Sequence, residues 1–354
     1  MYKAFNLFLA FLSGVVLISF HACKPDPVEP CSETLTPYEL DIPFGFPQIV
    51  VPKNNPMTVQ GVELGRKLFY DVRLSGDNTQ ACATCHFSTA SYADSAQFST
   101  GITGAIGDRN AMAVVNVGYS FSLFWDGRAA TLEEQALAPV TNPIEMNATW
   151  PDVLTKLNAD SYYRDEFKFV YGVNVIDSFD VAKALAQFER TMISGNSRYD
   201  KYLRGELILT DEELRGRELY NDEKADCTHC HGSSLHMGFV FVNNGLQQVM
   251  ADSGLGGVTG LLSDIGLFKP PTLRNIEFTG PYMHDGRFKT LEEVIEFYAN
   301  DVNQQSPNIS IDMLKGNRPG GKLQLSDRDK TDLIAFLKSL TDMDFVTNPA
   351  FQSE

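Results

Sequence analysis

The fold of this 354-residue chain is decided by two short stretches, Cys82-Ala83-Thr84-Cys85-His86 and Cys227-Thr228-His229-Cys230-His231. Both have the pattern C-x-x-C-H. Two thiols at this spacing form thioethers to the vinyl groups of one haem, and the adjoining imidazole reaches the iron. A zinc site or a redox dithiol could use the cysteines, but neither needs the adjoining histidine. We therefore predict two covalently bound haem c groups with His86 and His231 as iron ligands.

Short motifs recur around the two stretches, so the chain contains an internal repeat. The matching pairs are Gly65–Asp71 with Gly216–Asp222, Arg109-Asn110 with Arg274-Asn275, and Trp125–Glu134 with His284–Glu293. Each half closes with an apolar helical pattern, at 181–193 and at 333–340, and the second half opens on a helix that Thr210 and Glu213 can cap. The repeat predicts a mainly α-helical protein made of two tandem cytochrome c-like domains.

The two domains follow a signal peptide and a short tether. An apolar run, 5–20, is too short to span a bilayer comfortably and ends just before Cys23, as in the lipobox of bacterial lipoproteins. This pattern predicts an exported protein held to the periplasmic side of a membrane by lipid on Cys23. The alternative is an ordinary secretory signal with an incidental cysteine. The predicted segments are 1–22 (signal peptide), 23–40 (tether), 41–204 (N-terminal domain) and 205–345 (C-terminal domain).

The chain is acidic, with a formal net charge of −16 at pH 7. This charge argues against nucleic acid as a partner. An acidic surface suits a basic redox partner, although many secreted proteins are simply acidic. No role is predicted for Cys31.

The repeat also suggests that the two haems differ. Tyr298 lies fourteen residues beyond His284, and Pro139 lies fourteen residues beyond Trp125. Tyrosine can bind haem iron and proline cannot, so the second iron would have six ligands and the first an open position. Tyr298 could equally be a packed aromatic residue. No histidine lies between the first motif and His229, and Glu145, in a rigid turn near Pro139, is the candidate carboxylate for the open site.

The chain resembles the bacterial di-haem cytochrome c peroxidase and MauG family from about Gly61 to Leu340. The motifs that carry the resemblance are Phe124–Arg128, Gln135, Asn142–Met146, Pro271–Asn275 and Pro281–Gly286.

This resemblance implies roles for individual residues. Glu145 and Gln135 match the family's distal glutamate and glutamine, and Trp125 matches the tryptophan that relays electrons between the haems. The residues that match the family's calcium ligands are Asn110, Thr279 and Pro281, the latter two through their main chain. Hard oxygen ligands of this kind suit one calcium ion between the domains.

The chain departs from many peroxidases of the family at two places. Tyr298 stands where those enzymes have a methionine, as in the MauG-type branch, and a phenolate ligand favours oxidised iron. The alternative ligands of the second haem are Met283, Met313 and His284. The chain also lacks the loop histidine that blocks the first haem in many relatives.

The resemblance implies an oxidoreductase that reduces hydrogen peroxide at the first haem. Electrons would arrive through the second haem from a small cytochrome c or copper protein (cupredoxin). Two alternatives stay open: a MauG-like oxidase of a protein substrate, and a di-haem electron carrier without catalysis. The sequence does not decide whether the chain forms a homodimer.

Overall fold

The computed structural model describes residues 34–314 and 321–353. The predicted signal peptide (1–22), the predicted lipidation site Cys23 and Cys31 lie outside the described residues. None of the helices within the described ranges has the length and the apolar character needed to cross a membrane.

The described chain is built from helices and long connecting loops, which confirms the predicted fold class. Backbone pairing of the β type is limited, in the part of the chain that the structure describes, to isolated bridges. The helices are α1 (Val59–Phe69), α2 (Leu132–Thr141), α3 (Trp150–Ala159), α4 (Ser161–Tyr171), α5 (Ser178–Arg190), α6 (Arg198–Leu203), α7 (Asp211–Asn221), α8 (Thr228–His231), α9 (Leu255–Thr259), α10 (Leu291–Glu296), α11 (Asp327–Ser339) and α12 (Met343–Val346).

Side-chain caps set where the helices begin. The Thr210 hydroxyl accepts a hydrogen bond from the Glu213 backbone N–H, and the Glu213 carboxylate accepts one from the Thr210 N–H, so the predicted capping box of α7 is confirmed. Ser326 and Asp329 form the same box at the start of α11. Each box satisfies backbone donors that the first helical turn leaves without partners.

In each half, two helices cross closely at a glycine. In the first half α1 packs on α5, and in the second half α7 packs on α11. A Cβ atom placed on Gly65 would lie 1.9 Å from the Ala184 carbonyl oxygen, and one on Gly216 would lie 1.9 Å from the Asp332 carbonyl oxygen. The two glycines occupy equivalent places in the repeat. In both halves, therefore, the absence of a side chain lets two helix backbones approach closely.

The apolar side chains gather into one larger cluster in the first half and another in the second. The first includes the Phe69–Phe188 ring pair and the second the Tyr220–Phe336 pair. The C-terminal end of the chain then returns to the first half, where the Phe351 ring lies 6.4 Å from that of Phe188. The sequence analysis did not foresee this return. Whether 41–204 and 205–345 are separate folding domains stays a prediction.

A buried ion pair connects the second half with the helix that precedes it. The Arg274 guanidinium donates two hydrogen bonds to the Asp200 carboxylate, at 2.8 and 2.9 Å, and a third to the Ser234 carbonyl. Burial raises the pKa of Asp200, but the charge and hydrogen bonds of Arg274 outweigh this effect, and the pKa lies below its usual value. Asp200 therefore stays ionised and paired in the interior.

We expect Gly216→Ala to lower the free energy of unfolding of the haem-loaded protein by about 1–3 kcal/mol, since the added methyl group must push α7 away from α11. Urea unfolding followed by circular dichroism measures this change. Gly257→Ala is the control, because its Cβ would meet its nearest neighbour at an ordinary 3.7 Å. Equal losses in the two variants would contradict the close approach at Gly216.

Candidate functional site

Both C-x-x-C-H motifs face one cavity of about 620 Å³. Its walls come from both halves of the chain and are mostly apolar. Besides the two motifs, the lining includes most of the residues singled out from the sequence, namely Asn110, Trp125, Gln135, Pro139, Glu145, Thr279, Pro281, Met283, His284, Tyr298 and Met313. The fold thus brings together residues that are far apart in sequence.

His86 is held by the loop that follows its motif. Its Nδ1 lies 2.9 Å from the Tyr92 carbonyl oxygen, so Nδ1 carries the proton in this hydrogen bond and Nε2 is left as the iron-binding atom. Burial lowers the pKa of His86, which keeps the imidazole neutral. The Cys82 and Cys85 thiols lie at the same wall, and burial raises the pKa of both.

His231 is oriented in the same way in the second half. Its Nδ1 lies 3.3 Å from the His236 carbonyl oxygen, and burial lowers its pKa to about 4. The Tyr220 hydroxyl donates a hydrogen bond of 2.6 Å to the His231 carbonyl, which fixes the backbone of the motif. The His229 imidazole is not part of the cavity wall, and its Nδ1 contacts the Asp226 carboxylate instead.

The residues present fit a covalent haem at each motif. Each pair of thiols lines the cavity beside a neutral imidazole whose second nitrogen is hydrogen-bonded to the backbone. A hydrogen bond from the second ring nitrogen to a backbone carbonyl fixes the tautomer of a metal-binding histidine and strengthens it as a ligand. The apolar walls match the apolar faces of a haem.

Pro139, Gln135 and Glu145 line the same cavity, and the Glu145 carboxylate is close enough to the Cys82 and Cys85 thiols to raise their pKa. Gln135 and Pro139 are on α2, and Glu145 is in the turn that follows it. The Asn142 side-chain N–H donates a 2.6 Å hydrogen bond to the Glu145 carboxylate. Burial raises the pKa of Glu145, and the Asn142 hydrogen bond reduces this effect only in part. A raised pKa favours the protonated carboxyl group, so it favours uptake of a proton by the Glu145 carboxylate.

Tyr298 faces the cavity from a π-helical turn, Phe297–Asp301, that continues α10. Such turns are frequent at functional sites. The Asn244 side-chain N–H donates a 3.2 Å hydrogen bond to the Tyr298 hydroxyl, and the Cys227 and Cys230 thiols are close enough to affect its pKa. Burial, the largest effect, raises this pKa to about 12. Pro139, at the equivalent place in the repeat, also faces the cavity.

Trp125 lies where the two halves meet. Its indole N–H donates a 2.8 Å hydrogen bond to the Asn110 carbonyl, and the Asn110 N–H donates one of 2.7 Å to the His284 carbonyl. The Trp125 and His284 rings are in edge contact at 6.5 Å, and the Phe268 ring stacks on His284 at 3.8 Å. Trp125 and His284 are equivalent in the repeat, so the two halves meet through corresponding residues.

Arg109 forms a salt bridge on each side of this junction. Its guanidinium contacts Asp126 of the first half at 2.5 Å and Asp252 of the second half at 2.6 Å. Burial raises the pKa of Asp252, but the hydrogen bonds from Arg109 outweigh it and leave the pKa below its usual value. The pair of ion contacts therefore fixes the Trp125 loop against the second half.

The residues predicted to bind calcium also lie at this junction. The Asn110 side-chain N–H donates to the Ala96 and Gln97 carbonyls, which leaves its side-chain oxygen as an acceptor. Thr279 and Pro281 line the same cavity. Oxygen atoms of these types suit a hard cation such as Ca²⁺.

Sequence reasoning missed two ionisable side chains of the cavity, Glu189 and Lys269. Glu189 is 7% exposed, and burial raises its pKa to about 8, so its carboxyl group is largely protonated at neutral pH. An acid within a helical pattern that otherwise reads as apolar was the available signal. Lys269 follows Phe268 in the loop before the Pro271–Asn275 motif, and nothing in its local sequence marks it as buried.

Comparison with known proteins gives consistent matches. The family model described as "Di-haem cytochrome c peroxidase" matches residues 59–207. The methylamine utilization protein MauG of Methylophilus methylotrophus is 35% identical over 298 residues, which cover 82% of this chain and 85% of that protein. The cytochrome c551 peroxidase of Nitrosomonas europaea is 34% identical over 297 residues, 82% of each chain.

The fold is also similar to a solved structure. A MauG-like protein associated with microbial copper homeostasis superposes with a TM-score of 0.79 at 36% identity. The match covers 89% of this chain and 99% of that chain. A likeness of this extent includes both halves and the junction between them.

We expect Arg109→Gln to lower the free energy of unfolding by about 1–3 kcal/mol at pH 7, because it leaves the partly buried Asp252 carboxylate without its charged partner. Asp252 has a lowered folded-state pKa, so its contribution is present above its unfolded pKa and is lost as the pH falls through the folded value. The difference between Arg109→Gln and the unaltered protein should therefore shrink as the pH falls from 7 to below about 4.

Urea unfolding at several pH values measures this dependence. Arg128→Gln is the matched control, because Arg128 contacts Asp126 but is more exposed, and no contact joins it to Asp252 within the described residues. A difference that does not change with pH would contradict the assigned role of the Asp252 contact.

Proposed function

Since the chain belongs to the di-haem cytochrome c peroxidase and MauG family and is an oxidoreductase of that family, we propose that it reduces hydrogen peroxide to water. The observation that carries the proposal is that Gln135, Pro139 and Glu145 line the cavity that both motifs face, with Glu145 close to the first pair of thiols. His86 would hold the iron, and proline has no side-chain atom that can bind it, so Pro139 would leave peroxide room to bind.

The balanced reaction joins one peroxide, two protons and two electrons to form two waters. When bound, the haem of His86 supplies an open iron position for peroxide, and the haem of His231 supplies stored electrons. An external cytochrome c or copper protein replaces those electrons. The acidic surface of the chain, with a net charge of −16, supports a donor with a basic docking face.

Glu145 moves the proton that lets the O–O bond break. Its carboxylate would take a proton from one peroxide oxygen and deliver it to the other, which would leave as water. Burial raises the pKa of Glu145, which favours the first of these steps, the uptake of a proton. The Asn142 hydrogen bond orients the carboxylate, and the Gln135 amide can hold the peroxide by a further hydrogen bond.

We expect Glu145→Gln to slow peroxide turnover by about 10²–10⁴-fold, because the amide keeps the shape but cannot relay the proton. Steady-state assays with a reduced cytochrome c as donor measure the rate, and the absorbance of the haem–pyridine complex checks that both haems are attached. Glu134→Gln is the control, since this exposed glutamate of α2 bonds only the Ala130 backbone N–H among the described residues. Unchanged turnover in Glu145→Gln would contradict the role of Glu145 as the proton relay.

Tyr298 is proposed as the second ligand of the haem bound by His231. Its position on a wall shared with Cys227 and Cys230 supports this assignment, and the alternatives Met283, Met313 and His284 line the same cavity. Trp125 would relay electrons between the two haems. A tyrosine ligand favours higher oxidation states, which supports a second candidate function, the long-range oxidation of a protein substrate as in MauG-type enzymes.

Replacing Tyr298 by methionine should raise the midpoint potential of the second haem, because a thioether stabilises reduced iron where a phenolate stabilises oxidised iron. Spectroelectrochemical titration measures the potential, and electron paramagnetic resonance of the oxidised protein reports the ligand set. Met283→Leu is the control and should change neither. A change in Met283→Leu with none in Tyr298→Met would assign the ligand to Met283 instead.

The remaining assignments complete the proposal. Asn110, Thr279 and Pro281 would hold one calcium ion between domains 41–204 and 205–345. Lipid on Cys23 would hold the exported protein at the periplasmic side of a membrane. Both assignments agree with the residue types present, as set out above.

A further inference from the structure

Lys269 is a buried lysine that has no acidic partner among the described residues. Its side chain is 5% exposed, and its Nζ atom donates one hydrogen bond, at 2.6 Å, to the Ser122 carbonyl oxygen. Within residues 34–314 and 321–353 no carboxylate lies within ion-pair distance of this nitrogen. Burial alone lowers the pKa of Lys269 to about 8.

The other deeply buried basic side chains are paired. Arg190 (3% exposed) contacts Glu133 at 2.9 Å, and Arg274 (2% exposed) contacts Asp200 at 2.8 Å. An unpaired ammonium group in an apolar interior costs several kcal/mol, so buried charges in proteins are paired or bind a ligand. The exception at Lys269 therefore indicates an anion that enters with a bound group.

Lys269 lies between the Trp125 loop and the cavity that both motifs face. Its backbone N–H donates a 2.9 Å hydrogen bond to the Trp125 carbonyl, and its side chain borders the cavity that both motifs face. The preceding residue, Phe268, stacks on His284. Lys269 thus belongs to the second half but bonds two residues of the first, Ser122 and Trp125.

We propose that the Lys269 ammonium group binds a propionate carboxylate of one of the two haems and so anchors that haem at the junction of the halves. Each haem brings two propionates, which are the anions that a group filling this cavity carries. The ammonium has two N–H groups beyond the one that bonds Ser122, enough for a charge-assisted hydrogen bond. The Asp126 and Asp252 carboxylates near the junction are already bonded to Arg109.

This contact would connect a haem to the Trp125 loop. The propionate would bind Lys269 Nζ, and the Lys269 backbone N–H donates to the Trp125 carbonyl. Lys269 would therefore join the haem edge to the backbone of Trp125, the proposed relay residue. Neutralising the propionate also stabilises reduced iron, since an uncompensated negative charge nearby favours the ferric form. Lys269 is a positioning residue in this account. The inference rests on haem attachment at the two motifs and does not depend on which reaction the protein catalyses.

The test compares Lys269→Met, Lys269→Arg and the control Lys289→Met in the full, haem-loaded protein. Lys289 is an exposed lysine of the same half, so its loss makes the same change in net charge. Spectroelectrochemical titration gives the two midpoint potentials, and resonance Raman spectroscopy reports hydrogen bonding through the propionate bending bands. The absorbance of the haem–pyridine complex counts the attached haems.

We expect Lys269→Met to lower one midpoint potential, leave the other nearly unchanged and shift one propionate band. Lys269→Arg should keep both potentials but shift the band, because the longer side chain bonds in a different geometry. Lys289→Met should change neither. Fully loaded Lys269→Met protein with unaltered potentials and bands would overturn the proposal. If Lys269→Met does not mature, the band in Lys269→Arg decides: a shift supports the proposal and an unchanged spectrum overturns it.

These outcomes are distinguishable from failure of the proposed peroxidase activity. A protein that carries two haems but does not turn over peroxide would still show the Lys269 effects on potential and band. A protein without haem at the motifs would show no absorbance of the haem–pyridine complex.

Discussion

The structure depends on one constraint: both haem-attachment motifs face the same cavity, and neither half closes around its motif alone. The helices of the pairs α1–α5 and α7–α11 pack tightly against each other at Gly65 and Gly216. The loops that connect the helices line the cavity. A covalent haem at each motif would give the apolar walls of the cavity a surface to pack against. Burial of this apolar surface would add to the stability of the folded chain.

Ring contacts, hydrogen bonds and salt bridges fix the junction between the halves around Trp125. Trp125 and His284, equivalent in the repeat, are in ring contact, and the Asn110 backbone bonds both of them. Arg109 holds the surrounding loops through two carboxylates, one from each half. A path for electrons between two haems needs fixed distances, and these polar contacts oppose relative movement of the halves.

The repeat has diverged where the two halves need different chemistry. Pro139 and Tyr298 occupy equivalent places and both face the cavity, but only the tyrosine carries an atom that can bind iron. Glu145 has no acidic counterpart in the second half at the matching turn. One half can therefore hold an open site and the other a closed one within the same architecture.

The sequence by itself determined the cofactor class, the mainly helical fold, the repeat and the capped helix starts, because each depends on residues close together in the chain. C-x-x-C-H and a capping box are local patterns with a local physical cause. Only the tertiary structure decided that Phe351 packs on the first half, that Glu189 lines the cavity and that Lys269 is buried with no acid beside it in the described part of the chain. Burial and charge pairing depend on which distant segments meet, and no spacing in the chain records that.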